Sequence, residues 1–492
     1  MSGNKIGCSL ADSTSSSYPF IFRSGSLAIL YPSLFSPMAT QSAPLVSLQA
    51  PKDVSLGEIE SELAQIWKMY SAANLDGSHS GATRAATFTL IVYESTVMGE
   101  AQNLLSILGF YRGPIDGIYG PQMEVAVKTA QKAYELTTNG KINSELLEKL
   151  RQAVAQKAAT EGEVLPPNYA ANNAGAIADA IASQNPCRII SLLPVPGEDE
   201  GVTAQVSAYC PIQKRGQSTL ICCEYITLRG TEKALERVSS LVSSLLISEL
   251  PKFLWWKANP DPATELFRKV GSMCNSVIVD SSGFQKPETE LRQLIHLMED
   301  GIQVADLNWS RLAAWQELAA EAFDPPERRA DLKEVDQVTI DYEKGNATQA
   351  LMYVGWLASR LNWKPVAYQF SGNEADYDLH HIEFMTNDNR TVKAELAGVP
   401  IADAGDVVGD LIGLRLGSTN PNANCNTILC SETTGCMRME AGGAAQSSRI
   451  QQVTSLADQR AEVMLGQQVQ RWGRDVLYEE SMQLTAQILH LR

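Results

Sequence analysis

The sequence predicts a mixed α/β protein with α+β character. A small three-helix module comes first, then an α/β domain with a largely parallel sheet, then a mixed β-rich part ending in a long helix. Three observations predict this. From Leu250 to Phe323 short apolar runs alternate with amphipathic stretches. From 97 to 150 three leucine-marked helical stretches are separated by glycine turns. From Val335 to Leu416 β-branched and aromatic runs recur with turn residues between them. The chain has 492 residues, length for about three domains.

Residues 1–37 are serine-rich, with Lys5, Asp12 and Arg23 as the charges. Arg23 and Pro32 interrupt the apolar stretches, so no clean signal peptide is read. Residues 1–50 are expected to be a disordered tail or an over-extended start, with Met38 as the initiator. Residues 51–96 form a lead-in. Leu56, Ile59, Leu63, Ile66, Trp67 and Tyr70 share one helical face, and Thr83 to Glu94 reads as a strand.

In 97–150, Leu104, Leu105 and Leu108 mark the first helix. The loop Ile115-Asp116-Gly117-Ile118-Tyr119-Gly120-Pro121 leads into the second, with Pro121 at its first turn. Asn139-Gly140 turns the chain into the third. Residues 151–176 read as a linker around Pro166-Pro167-Asn168.

The domain at 177–330 carries strand candidates at 188–193, 202–210, 219–228, 253–256 and 277–280. Helices are expected at 232–250, 262–270, 287–299 and 310–323. Such alternation predicts a parallel sheet with helices on its faces. In 331–492, strands are expected at 335–342, 366–370, 380–385, 391–396 and 411–416, the last four antiparallel. A helix is expected at 347–361. Residues 449–491 carry an amphipathic pattern without proline and read as a long helix or helix pair.

Composition excludes several function classes. The net charge of -16 disfavours nucleic acid or an anionic membrane as partner. No apolar run approaches the length of about 20 residues needed to span a bilayer. Nine cysteines in so long a chain do not make a disulfide framework, and a cytoplasmic location with reduced thiols is expected. No cofactor motif is present: Gly405, Gly409 and Gly413 lack both a following helix and a lysine.

His380-His381 with Glu383 invites a metal site. Neighbouring strand residues point to opposite faces, so a structural histidine pair is expected instead. Asp376, Asp378 and Glu383 read as solvated loop carboxylates. Trp255 and Trp256 are adjacent on a strand and put one ring on each face, so one of them is expected to reach a surface. Cys430 and Cys436 bracket a short turn-like loop near Cys425. On spacing alone a Cys430–Cys436 bridge, a Cys425–Cys430 bridge and three reduced thiols all stay open.

Residues 97–150 resemble the peptidoglycan-binding domain 1 family in Gln102, the Leu-Gly-Phe-Tyr turn and the Ile-Asp-Gly-Ile-Tyr-Gly loop. That resemblance implies a three-helix scaffold or docking module. A wall-binding protein or hydrolase is the alternative, and a sugar-phosphate enzyme is a further rival.

Residues 177–490 resemble the glucose-6-phosphate dehydrogenase assembly protein family, OpcA. The residues that carry it are Asn185-Pro186-Cys187-Arg188, Leu254-Trp255-Trp256, Val277 to Ser281, Asp306 to Arg311, and Gly355 to Trp363. The added three-helix module is similar to the arrangement in cyanobacterial members. The resemblance implies a non-catalytic allosteric activator and oligomerisation factor, with glucose-6-phosphate dehydrogenase and thioredoxin as partners and without a cofactor. It implies a regulatory Cys430–Cys436 disulfide whose reduction weakens activation. It also marks Trp255, Trp256, Asp306, Trp309, Arg311, Trp356 and Arg360 as family-motif or partner-binding residues.

Overall fold

The computed structural model describes residues 45–72, 81–84, 86–94, 96–111, 121–161, 181, 185–195, 198–211, 219–284, 286–324, 326, 328–372, 377–400, 407–420, 423–431, 436–443, 449–455, 459–471 and 473–492. The first part contains β1 (Leu45–Val54), α1 (Ile59–Ala72), β2 (Gly81–Arg84) and β3 (Phe88–Tyr93). A helical module follows: α2 (Thr96–Ile107), α3 (Pro121–Ala133) and α4 (Ser144–Glu161). Next come β4 (Cys187–Pro194), β5 (Thr203–Pro211), β6 (Thr219–Gly230), α5 (Glu232–Arg237), α6 (Ser239–Leu245), β7 (Lys252–Trp256) and α7 (Glu265–Gly271). The chain continues through β8 (Ser276–Val279), a 3-10 turn (Ser281–Gly283), α8 (Pro287–Glu299), β9 (Val304–Asp306), α9 (Leu307–Arg311), α10 (Ala313–Phe323) and α11 (Arg329–Leu332).

These strands form one sheet in the order β1-β5-β6-β4-β3-β7-β8-β9, with β2 pairing β6. The path from β6 to β9 is parallel throughout, and β5 joins it antiparallel. Counted along the chain, the six parallel strands run third, second, first, fourth, fifth, sixth. That is the doubly wound order of dinucleotide-binding folds. Strands buried on both faces need near-continuous apolar sequence, and β3, Phe-Thr-Leu-Ile-Val-Tyr, is buried along its whole length.

β3 is the central strand, not part of a lead-in. It pairs directly with β4, from Phe88 opposite Cys187 to Tyr93 opposite Leu192. The three-helix module therefore occupies the crossover between two neighbouring parallel strands. It keeps its own core of Ala101, Leu105, Met123, Val127, Leu146 and Leu150. Gln131 closes its turn: the side-chain amide donates to Asn139 Oδ1 and its oxygen accepts from the Gly140 amide, both at 2.9 Å. β1 starts at Leu45, inside the stretch expected to be tail, because it completes the sheet edge against β5. Helix α4 runs to Glu161, into the expected linker. Residues 1–44 and 162–180 lie outside the described residues.

The second sheet is built from β10 (Gln337–Glu343), β11 (Lys364–Ser371), β12 (Asp378–Met385), β13 (Thr391–Val399), β14 (Leu411–Gly417), β15 (Asn424–Ser431), β16 (Cys436–Gly443) and β17 (Arg449–Ser455). Its order is β11-β12-β13-β10-β14-β15-β16-β17. Its pairs are antiparallel except β10 with β13, because α12 (Thr348–Leu361) carries the chain across the sheet. The end of the chain is a strand followed by two helices, α13 (Ala461–Gln468) and α14 (Val476–His490), rather than helix throughout. β17 takes residues 449–455 into the sheet edge. The expected helices at 232–250 and 310–323 are likewise broken, into α5 and α6 and into α9 and α10.

One apolar core runs from α1 through the first sheet to α12, α14 and the inner face of the second sheet. A smaller core covers the other face of the first sheet, where Met464, Leu465 and Val469 pack beside Phe253, Trp255 and Ile278. Helices α12 and α14 touch at Gly355: Ser481 donates to Met352 O at 2.7 Å, and a Cβ on Gly355 would lie 2.5 Å from Thr485 Oγ1 and 2.7 Å from Ser481 O. Gly355→Ala is expected to cost about 1–3 kcal/mol in urea unfolding by overpacking this contact. Stability equal to the wild type would contradict the packing described.

Candidate functional site

Open parallel sheets of this order present their ligands at the C-terminal strand ends, beside the central strand where the order reverses. Here that place lies between β3 and β7. The sequence after β3 reads Glu94-Ser95-Thr96-Val97-Met98-Gly99 and enters α2 of the helical module at Thr96, with no glycine fingerprint. The strand ends are filled by the chain's own side chains. Lys257 Nζ lies 3.3 Å from Glu94 Oε2, with both side chains buried, and stands 4.2 Å over the Trp255 ring. Tyr93 stacks on Trp256 with ring centroids 3.7 Å apart.

The ends of β8 and β9 carry Asp280 and Asp306. Asp280 caps the 3-10 turn, accepting from Ser282 N. Asp306 caps α9: its Oδ1 accepts from Asn308 N at 2.9 Å and from Ser281 N at 3.0 Å. Arg311, one turn along α9, returns to Asp280 with two bonds, Nη1 to Oδ1 at 2.7 Å and Nη2 to Oδ2 at 2.8 Å. Its Nε donates to Gln459 O, just before α13.

Amide side chains join this cluster to the second half. Asn308 Nδ2 donates to Ser281 Oγ at 3.2 Å, and Gln349 Nε2 donates to Asn308 Oδ1 at 2.8 Å and to Asp410 Oδ1 at 2.5 Å. Asn346 Nδ2 donates to the carbonyls of Ser281 and Ser282, both at 2.9 Å. Gly409 makes the approach possible. It has φ +84, and a Cβ there would sit 2.0 Å from Asn346 O. Trp309 Nε1 donates to Asp475 Oδ2 at 2.9 Å, while Asp475 Oδ1 caps α14.

The two acids differ electrostatically. Burial would raise Asp280, but the Arg311 guanidinium and the bonds to it outweigh burial and hold Asp280 below the usual carboxylate range. Burial pushes Asp306 up to about 6. The hydrogen bonds from Ser281 and Asn308 oppose that rise, and the Asp280 charge adds to it. Asp306 Oδ2 is buried with no hydrogen-bond partner among the described residues.

The structure scatters the residues singled out by sequence. Trp255 and Trp256 do lie on opposite faces, but at 0% and 3% exposure neither reaches a surface. Both faces of β7 are covered, one by α13. Asp306, Trp309, Arg311 and Trp356 are buried too. Arg360 is partly exposed and pairs with Glu480. His380 is buried, whereas His381 faces out beside Glu395 at 3.5 Å. Glu383 lies 3.8 Å from Lys393, Asp378 lies 3.3 Å from Lys344, and Asp376 falls outside the described residues.

The cysteine loop is largely strand. In the β15–β16 hairpin Cys430 is opposite Met437 and Cys436 is opposite Ser431, one step apart in register. Their side chains, and that of Cys425, lie outside the described residues. Sequence reasoning missed Glu94, Lys257, Asn346 and Gln349. The local signal for Glu94 and Lys257 was a charged residue closing an apolar run; Asn346 and Gln349 had none.

The class defined is thus a doubly wound α/β protein with a closed ligand crevice, locked through buried charges to a mixed sheet. Residues 178–296 match the family described as "Glucose-6-phosphate dehydrogenase subunit N-terminal domain", and residues 302–482 match its "C-terminal domain". Residues 95–150 match a "Putative peptidoglycan binding domain". Three cyanobacterial proteins, each named "Putative OxPP cycle protein OpcA", are similar over 92% of this chain. The Nostoc punctiforme protein is 58% identical with 97% of its length covered. The figures are 55% and 95% for Synechocystis sp., and 50% and 99% for Synechococcus elongatus. The chain belongs to the OpcA family. An aldose-aldose oxidoreductase from Caulobacter crescentus aligns with 54% of this chain and 81% of its own at 10% identity and TM-score 0.34, too low to carry any functional argument.

Asp306 yields a pH prediction. Its folded value, about 6, exceeds the unfolded value near 3.9. Between these the native state keeps a proton that the unfolded state has lost, so this contribution to stability falls as pH rises through the window. Asp306→Asn keeps an acceptor for both backbone amides and removes the titration. Measured by urea unfolding, the variant should gain about 2–3 kcal/mol relative to wild type between pH 4 and pH 7. A difference independent of pH would contradict the assignment.

Proposed function

We propose that this chain is a non-catalytic allosteric activator and oligomerisation factor of glucose-6-phosphate dehydrogenase, acting at the entry to oxidative pentose phosphate metabolism in the cytoplasm. The closed crevice carries this reading. At the position where a doubly wound sheet would receive a dinucleotide, Glu94 and Lys257 pair with each other and the helical module takes the place of the phosphate loop. The dehydrogenase named in the family descriptions supplies the partner. No helix of the described residues is long and apolar enough to cross a membrane.

An activator of this kind works by preferring one conformation or oligomer of its partner. A tenfold preference corresponds to about 1.4 kcal/mol of coupling. The docking surface lies outside the buried motif residues, which act by holding the two sheets in one arrangement. The helical module has both ends tied to the first sheet, through β3 and β4. That supports a docking or scaffold role for it over one as a wall anchor.

The finer part of the proposal is redox control. Cys430 and Cys436 sit on adjacent strands at the end of a hairpin, one step out of register. A bridge there, opened by thioredoxin, would exchange two geometries of the hairpin end. Oxidation favours the activating form.

Titrating the oxidised protein into purified dehydrogenase should lower the apparent KM for glucose 6-phosphate. No change in any kinetic constant would sink the activator reading. Cys430→Ser and Cys436→Ser should each abolish the response to reduced thioredoxin, read in the same coupled assay. Retained response in both would place the switch on other thiols.

A further inference from the structure

A pocket of ≈ 270 Å³ opens where the N-terminal ends of α8 and α12 meet the second sheet. It is distinct from the crevice between β3 and β7. Pro287, Ala347 and Phe370 form its apolar walls, and Glu288, Tyr342, Asp378 and His380 bring polar groups to it. Lys286 stands exposed at the rim. The volume lies just below the range of about 300–1,000 Å³ common for ligand pockets. It suits one substituted sugar ring and is too small for a dinucleotide.

The back of the pocket is a directed hydrogen-bond chain. Tyr368 donates its proton to Glu288 Oε1 at 3.0 Å. Its oxygen must therefore accept from His380 Nδ1–H, at 2.7 Å. That tautomer leaves Nε2 as an acceptor for the Tyr342 hydroxyl, at 3.0 Å. Burial, with a smaller contribution from His381, lowers His380 to about 4, so the ring is neutral at pH 7. Arg492 anchors the far end: it pairs with Glu288 and lies over the Phe370 ring at 4.6 Å. The chain runs Tyr342 to His380 to Tyr368 to Glu288, and it fixes each hydroxyl direction before any ligand arrives.

With its proton committed to His380, Tyr342 presents lone pairs to a ligand. The Asp378 carboxylate, 3.3 Å from Lys344, and the Glu288 carboxylate, held by Tyr368 and Arg492, keep further lone pairs as acceptors. Such a site calls for a ligand rich in hydroxyl donors. Phe370 is 39% exposed and lines the pocket beside His380, with Arg492 over its ring, as an aromatic wall suited to the C–H side of a sugar ring. Lys286 adds one cation at the mouth.

We propose that this pocket binds a monosaccharide-sized polyol carrying one anionic group. The proposal goes beyond the activator reading and stands or falls separately from it, since its test needs no dehydrogenase.

The test is calorimetry on the full chain with three probes: glucose, glucose 6-phosphate and inorganic phosphate. Saturable binding of glucose 6-phosphate in the millimolar range or tighter is expected, with glucose weaker and phosphate weakest. Phe370→Ala and Asp378→Asn should each weaken sugar phosphate binding about tenfold, and Lys286→Ala should reduce it while leaving glucose unchanged. All three side chains are at least partly exposed, so these variants keep the fold, and circular dichroism checks this. No saturable binding of either sugar would overturn the proposal. Phosphate binding as tightly as the sugar phosphate would do so as well, since it would define an anion site only. Unchanged binding in all three variants would place the ligand elsewhere.

Discussion

Two buried aspartates at the ends of neighbouring parallel strands are the constraint around which this molecule is arranged. Asp280 and Asp306 sit close enough for the charge of one to raise the other, and the Arg311 guanidinium pairs with Asp280. A buried charge with no partner would cost several kcal/mol. Arg311 must therefore reach back from α9, and Asp306 must cap that helix to aim it. Asn308, Asn346 and Gln349 then satisfy most of the surrounding donors and acceptors, and Asp306 Oδ2 stays without a partner among the described residues. In doing so they bind the start of α12 and the approach to β14 to the first sheet. The two sheets share one core because these polar groups fix their contact. A partly satisfied network of this kind would be worse than an apolar one.

Much of the fold was legible in the sequence. The alternation from β7 to α10 follows from short apolar runs separated by amphipathic stretches, and Pro287 marks the start of α8 at its first turn. The hairpin strands β12 and β13 show the period-2 pattern that puts His380 inside and His381 outside. What stayed hidden depends on non-local pairing. Nothing local in Phe88 to Tyr93 says that it pairs with residues about a hundred positions later, across an inserted module. β1 was missed for the same reason, since only its pairing with β5 makes it a strand. The surface expected for one tryptophan vanished because the C-terminal helix α13 returns to cover the second face of β7, a contact no pattern around Trp255 announces.

The site was legible in part. Asp306, Trp309 and Arg311 stood out as a motif; Asp306 and Arg311 do converge with Asp280, while Trp309 bonds to Asp475. The amides of Asn346 and Gln349 that join this cluster to α12 could not be found by spacing, because an amide side chain carries no sign of where its bonds end. The motif tryptophans and Arg311 preserve shape. Under the proposed function, contact with a partner falls to surfaces that they support from beneath. This division fits a protein that presents a rigid face to another protein while its own crevice stays shut. A fold that elsewhere holds a dinucleotide here holds its own lysine and glutamate, and fold alone does not fix function.

The central claim is that this chain works by gripping the dehydrogenase, and native mass spectrometry of the two purified proteins mixed together tests it most directly. Under oxidising conditions a complex containing both chains is predicted, with the dehydrogenase shifted toward one oligomer, and reduced thioredoxin should diminish it. Spectra showing each protein only with itself, in both redox states, would contradict the account.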